Sequence, residues 1–225
     1  MSNGARPAME NIAMRFHISA ESSRLEQIYF HASRLFIEKG FSATSMSDIA
    51  DAVGITKAGL YHFINNKEEL LFTLMNWGMD VLERDVREPA NLVEDPAQRL
   101  RVIVRGHLEN ISRVATEYGN PFTVIMDEPS GLVPEKANII RGRKREYFNL
   151  VRNCMAELKN NGQLANDDPT VSAFGVLGTI LWFGRWHRPD GPLGADALVS
   201  QLTDMCLRSA LTHEAYETLS ASLES

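Results

Sequence analysis

The sequence predicts an all-α protein: an N-terminal three-helix, helix-turn-helix domain followed by a larger C-terminal helical ligand-binding and dimerisation domain. Three observations lead there. Apolar residues recur at three- and four-residue steps along most of the chain after residue 22, and no alternating strand pattern competes with them. Gly, Pro, Asn, Ser and Thr stand where helices of that spacing need caps and stops. A chain of 225 residues can also bury one or two cores, which suits a small module joined to a larger body.

Taken in order, residues 1–20 mix Gly, Pro, Asn and Ser with scattered apolar side chains and are expected to form a flexible arm. Residues 21–67 are expected to form the first domain and 68–225 the second. The first helix begins after Ser22 or Ser23, turns Leu25, Ile28, Tyr29, Ala32, Leu35 and Phe36 toward a core, and stops at Gly40. Thr44 and Ser45 precede a short helix whose inward positions are Met46, Ile49, Ala50 and Val53, closed by Gly54. Thr56 then caps a third helix, Lys57 to Phe63, with Leu60 inward and Lys57, Ala58, Tyr61 and His62 outward. Asn65 or Asn66 caps a long helix buried through Leu70, Leu71, Leu74, Met75, Met79 and Leu82, after which Pro89 and Pro96 bracket a linker.

In the body the periodicity predicts helices over about 97–118, 121–129, 134–161, 168–187 and 194–213. Val171 to Phe183 is apolar on nearly every side, with Gly175 and Gly178 three apart, so it is either central to the body or half of a subunit interface. The amphipathic helix after it, with Leu198, Leu202, Met205 and Leu211, would supply the other half, giving a homodimer through the last two helices.

Composition excludes several classes. The net charge of −6 argues against a surface coated with phosphate-binding charge, but residues 1–67 hold seven Lys and Arg against six Asp and Glu, and the rest holds 16 against 23. The N-terminal end is therefore the part that repels DNA least. Cys154 and Cys206 lack a CxxC partner or a His cluster at ligand spacing, which suits packing residues in a reducing cytoplasm, and neither a metal nor a cofactor is expected. No stretch approaches the roughly 20 apolar residues of a membrane span, and the N-terminus has no signal pattern, so a cytoplasmic protein is expected. His107, His187 and His213 are far apart in sequence, no HExxH, GxSxG or Gly-rich phosphate loop occurs, and Asp167-Asp168 before Pro169 reads as a helix start; catalysis is not expected.

Two short helices joined by a tight turn put the second helix into a major groove while the first crosses the backbone. Thr44, Ser45 and Ser47 around the first short helix, and Thr56 and Lys57 opening the second, stand where phosphates need donors. Gly59 would let the backbone approach DNA, Tyr61 and His62 offer a hydroxyl and an imidazole, and Lys67 offers an ammonium. Taken singly, each of these is also an ordinary cap, core aromatic or solvated charge.

Together they stand in the order GFSATSMSDIADAVGITKAGLYHFINNKEELL, residues 40–71, which resembles the signature of the TetR family of transcriptional regulators. The resemblance covers about residues 22–72. It implies DNA contacts near Thr44, Ser45, Thr56, Lys57, Gly59, Tyr61, His62 and Lys67, palindromic operator DNA bound by a homodimer, and a helical ligand pocket whose small-molecule effector releases it. It further implies that the last two helices pair as a four-helix bundle between subunits. A helical module that binds ligand or protein without reading DNA is the alternative, against which the intact Thr56 to His62 segment stands.

The run LGTILWFGRWHRPDGPL, Leu177 to Leu193, is similar to a segment of TetR members that respond to acyl-CoA thioesters. Trp182 and Trp186 lie four apart with Arg185 and Arg188 beside them, which would offer indole faces to an adenine or pantetheine and guanidiniums to phosphates. Arg141 and Arg145, in a run with Arg143 and Lys144, would add phosphate contacts. The competing readings are that the tryptophans are core and the basic run is a solvated face.

Overall fold

A computed structural model of the chain describes residues 23–118, 130–188 and 190–224, so the arm expected at 1–20 and the helix expected at 121–129 lie outside the described residues. The described elements are helices α1 (Arg24–Lys39), α2 (Met46–Val53), α3 (Lys57–Tyr61) and α4 (Lys67–Leu82), a π-helical turn (Glu83–Arg87), and α5 (Glu88–Asn91), α6 (Pro96–Tyr118), α7 (Pro134–Asn160), α8 (Pro169–Trp186), α9 (Ala195–Ala210) and α10 (His213–Glu224). The fold is all-α. Two compact units emerge: an N-terminal one of residues up to Asp80 with Val114–Arg141, and a C-terminal one of Val81–Arg113 with Gly142–Ser225.

In the N-terminal unit the helix ends are set by local chemistry. Ser23 caps α1 in a reciprocal box with Glu26, and Ser45 does the same for α2 with Asp48. Gly54 ends α2 in the left-handed region at φ 73°, a conformation that costs other residues a Cβ clash. Asn66 Oδ1 accepts from the Glu69 amide at 2.8 Å at the start of α4, which decides between Asn65 and Asn66. Ile28, Ala32, Ile49, Leu60 and Leu70 are all but fully buried and form the centre of this unit.

In the C-terminal unit Asp168 caps α8 through the amides of Thr170 and Val171, with Pro169 in the first turn, where its missing N–H is harmless. Leu100, Ile103, Val104, Leu108 and Ile111 of α6 are fully buried, as are Ile180 and Phe183 of α8. Two expectations are corrected here. The segment bracketed by Pro89 and Pro96 is linker only over residues 92–95, because the preceding helix runs on through a π-turn into α5, which ends at Asn91; Pro89 sits in the first turn of α5, a position that helices tolerate. The helix expected to run to residue 213 stops at Ala210, because Leu211 is extended and pairs with Leu164. The Thr212 amide donates to Gln163 O at 2.8 Å, and α10 follows.

Candidate nucleic-acid interface and effector-binding body

The sequence GITKAGLYHF makes α3 a short helix pinned at a single point. Thr56 Oγ1 accepts from the Gly59 amide at 3.0 Å, and Leu60 is fully buried. With Leu60 facing in, Lys57, Ala58, Tyr61 and His62 are exposed, Tyr61 by 47%. The helix is two residues shorter than the Lys57 to Phe63 span expected, and His62 serves as its C-terminal cap. Gly59 faces its own cap: a Cβ there would lie 3.2 Å from Thr56 Oγ1.

Ser45 is exposed at the start of α2 and its hydroxyl is tied to Asp48, whose carboxyl is held well below the usual carboxylate range by the Ser45 side chain, the Ser45 amide and Lys39. Ser47 is half-buried in the first turn. Two of the proposed contacts turn inward. Thr44 is 1% exposed, and its hydroxyl lies 2.9 Å from Gly40 O and 3.2 Å from Leu35 O, so it fixes the turn between α1 and α2 and cannot reach a phosphate. Lys67 is half-buried, its ammonium donating to Phe41 O at 2.6 Å and Thr44 O at 2.8 Å while lying 4.3 Å from the Phe41 ring centre. The expectation of direct phosphate contact fails for Thr44 because its side chain is buried. Lys67 acts on the same turn, whatever else it reaches.

The C-terminal unit contains polar pairs that sequence reasoning missed. His107 Nδ1 of α6 and the Tyr147 hydroxyl of α7 are hydrogen-bonded at 2.9 Å, both buried; burial pushes the imidazole down to about 3 and raises the phenol, so the pair stays neutral. Ser112 of α6 lies 3.3 Å from His187 Nε2 at the end of α8, and His187 stacks on Phe183 with ring centres 4.6 Å apart. Gly184 lets α8 approach Ile111, whose methyl would lie 3.6 Å from an added Cβ. The only advance signal was a histidine or tyrosine at helical spacing on an otherwise apolar stripe.

The sequence-predicted effector residues are exposed. Trp182 and Trp186 are 65% and 44% exposed, sharing the outer side of α8 with Val171 and Phe174, and Arg185 is exposed beside them. In the single chain neither tryptophan is core. Arg141 and Arg145 are both exposed on α7.

The profile for bacterial regulatory proteins of the tetR family matches residues 28–74, and that for tetracyclin repressor-like C-terminal domains matches residues 93–210, more than half of the chain. The chain belongs to the TetR family. This TetR-family chain is 35% identical to AibR, solved in complex with isovaleryl coenzyme A and operator DNA, over 81% of this chain and 97% of that one at a TM-score of 0.71. It is 27% identical to the HTH-type transcriptional repressor KstR2 of Rhodococcus jostii strain RHA1, over 84% of this chain and 92% of KstR2. The structure of the ketosteroid transcriptional regulator KstR2 of Mycobacterium tuberculosis superposes with a TM-score of 0.76 at 26% identity, over 85% and 97% of the two chains. The TetR-family chain described here is a ligand-responsive, DNA-binding transcriptional regulator.

Proposed function

We propose that this regulator is a repressor that holds a palindromic operator as a homodimer and releases it when an acyl-CoA thioester binds. The observation that carries the DNA reading is α3: one buried anchor, Leu60, turns Lys57, Ala58, Tyr61 and His62 outward together. Lys57 and Ala58 then read bases, while Ser45, Ser47, Thr56, Tyr61 and His62 meet phosphates and set the register. Gly59 keeps the backbone of α3 slim, and Lys67 acts by holding the turn that presents Ser45.

Dimerisation is supported by the first half of α8, which exposes Val171 and Phe174 beside Gly175 and Gly178. Such an apolar face on one helix asks for a partner, and α8 with α9 forms the pairing surface. The thioester is supported by the likeness to AibR and by the outward Trp182, Trp186 and Arg185, the indoles suited to an adenine and the guanidinium to a phosphate. Arg145 is a further phosphate contact; Arg141 carries no part of this reading.

Footprinting should protect an inverted repeat with half-sites about one helical turn, ~34 Å, or a multiple of it apart. Protection of a single half-site by a stable monomer would contradict the dimer. Thioesters of graded acyl length should then dissociate the complex, with free acids and coenzyme A alone as controls. Release by a neutral lipophile but by no thioester would place the effector chemistry elsewhere.

A further inference from the structure

The cleft between α6, α9 and α10 belongs neither to the DNA-reading face nor to the outer side of α8. It lies wholly in the C-terminal unit and encloses about 180 Å3. From it we infer a second ligand site, one that takes a compact organic carboxylate with an apolar body and is separate from the effector site.

The charge comes from α6. Arg101 and Arg105 are four apart, so their side chains lie on one face of the helix, and both line the cleft half-buried. Arg105 uses its Nε on Glu109 at 2.7 Å, which leaves its terminal nitrogens available, and among the described residues Arg101 makes no ion pair or hydrogen bond. The acid of the cleft, Asp204, is already engaged. The Tyr216 hydroxyl donates to one carboxylate oxygen and Arg208 Nε to the other at 2.8 Å, and these bonds, Tyr216 foremost, hold its carboxyl below the usual range. Guanidinium charge therefore remains unanswered, and the guanidinium fork matches a carboxylate.

The rest of the lining selects the body of the ligand. Leu207 and Leu219 form a buried apolar floor, and Leu223 at the rim is half exposed, an apolar surface for the ligand to cover. Ser200 and Ser220 add hydroxyl donors. At ~30 Å3 per water the cleft holds on the order of six water volumes, below the ~300 Å3 at which drug-sized pockets begin. An inorganic anion would leave the leucines uncovered. A short branched or aromatic monocarboxylate meets both conditions. Bound there, it ties α10 to α6 and α9.

The test is leucine-methyl NMR of the full chain titrated with benzoate, with benzamide as a neutral probe of the same shape. Benzoate should shift the Leu207, Leu219 and Leu223 methyls saturably, and benzamide should not. Arg101→Gln should weaken benzoate by about tenfold, as loss of one charge-assisted contact of ~1.4 kcal/mol implies, and should leave operator affinity unchanged. Equal shifts from benzamide, shifts that never saturate, or wild-type benzoate affinity in Arg101→Gln would overturn the site. If Arg101→Gln does not fold, Leu223→Ala decides: weaker benzoate binding supports the cleft, and unchanged binding overturns it.

Discussion

The two units use their buried polar groups differently. In the N-terminal unit they reach backbone atoms close at hand: Thr44 to Leu35 O and Gly40 O, and Lys67 to Phe41 O and Thr44 O. In the C-terminal unit Asn110 and Thr203 also reach carbonyls one turn back, but two pairs of side chains meet across helices, His107 with Tyr147 and Ser112 with His187, and among the described residues His187 Nδ1 is buried without a hydrogen-bond partner. The first pattern freezes a surface for presentation. The second leaves polar capacity inside a hydrophobic body, which is what a ligand with few polar groups can use.

The largest expected effect breaks the presented surface. Leu60→Ala removes the only buried anchor of α3 and should destabilise the N-terminal unit by about 2–5 kcal/mol. Chemical denaturation would show it, and operator affinity should fall with it. Loss of affinity with full stability would mean that Leu60 itself lies in the interface.

The buried histidine tests the other side of the comparison. The imidazole of His107 is pushed down to about 3 in the folded chain, so as pH falls below the ordinary ~6.5 the unfolded chain takes up a proton that the folded chain refuses. Stability is therefore fully present above ~6.5 and declines as pH falls toward the folded value, by up to about 1.4 kcal/mol per pH unit from this group. His187, lowered by burial, adds to the slope in the same direction. Between about pH 6.5 and 5.5, above the carboxylate range, His107→Phe should flatten the slope and Tyr147→Phe should keep it. An identical slope in both variants would show that His107 titrates freely.

A smaller effect separates presentation from contact. Lys67→Met should cost about 1–2 kcal/mol, the lower part of the range for hydrogen bonds to a charged group because the site is half open to water. Operator affinity should drop equally for all sequences. If Lys67 only holds the turn, the dependence of binding on salt should hardly change; a fall in the salt slope of about 1 per subunit would show instead that the ammonium meets phosphate.

The same contrast explains what could be read in the sequence. Ser23, Ser45, Thr56, Asn66 and Asp168 cap helices within a few residues of themselves, so their roles follow from spacing alone. Thr44 looked like one more donor near a helix start, and its burial depends on Leu35 O, nine residues upstream and brought close by a turn of specific shape. The end of α9 was hidden because Leu211 continues the apolar stripe, while its extended pairing with Leu164 is 47 residues away in sequence. His107 and Tyr147, 40 residues apart, gave no hint of each other, and neither did Arg101 and Tyr216. The helix-turn-helix is local and was legible. The body is an assembly of distant residues, and only its helices could be read.

The account rests on the separation of reading from sensing, and fluorescence anisotropy of labelled operator tests it most directly. Wild type and Arg185→Ala are compared with and without isovaleryl coenzyme A, the ligand present in the AibR complex. Arg185→Ala should hold operator within about twofold of wild type, a difference under ~0.5 kcal/mol, yet resist release at thioester concentrations that free the wild type. Release of both proteins at the same concentration, or a loss of operator affinity of about tenfold or more in Arg185→Ala, would contradict it.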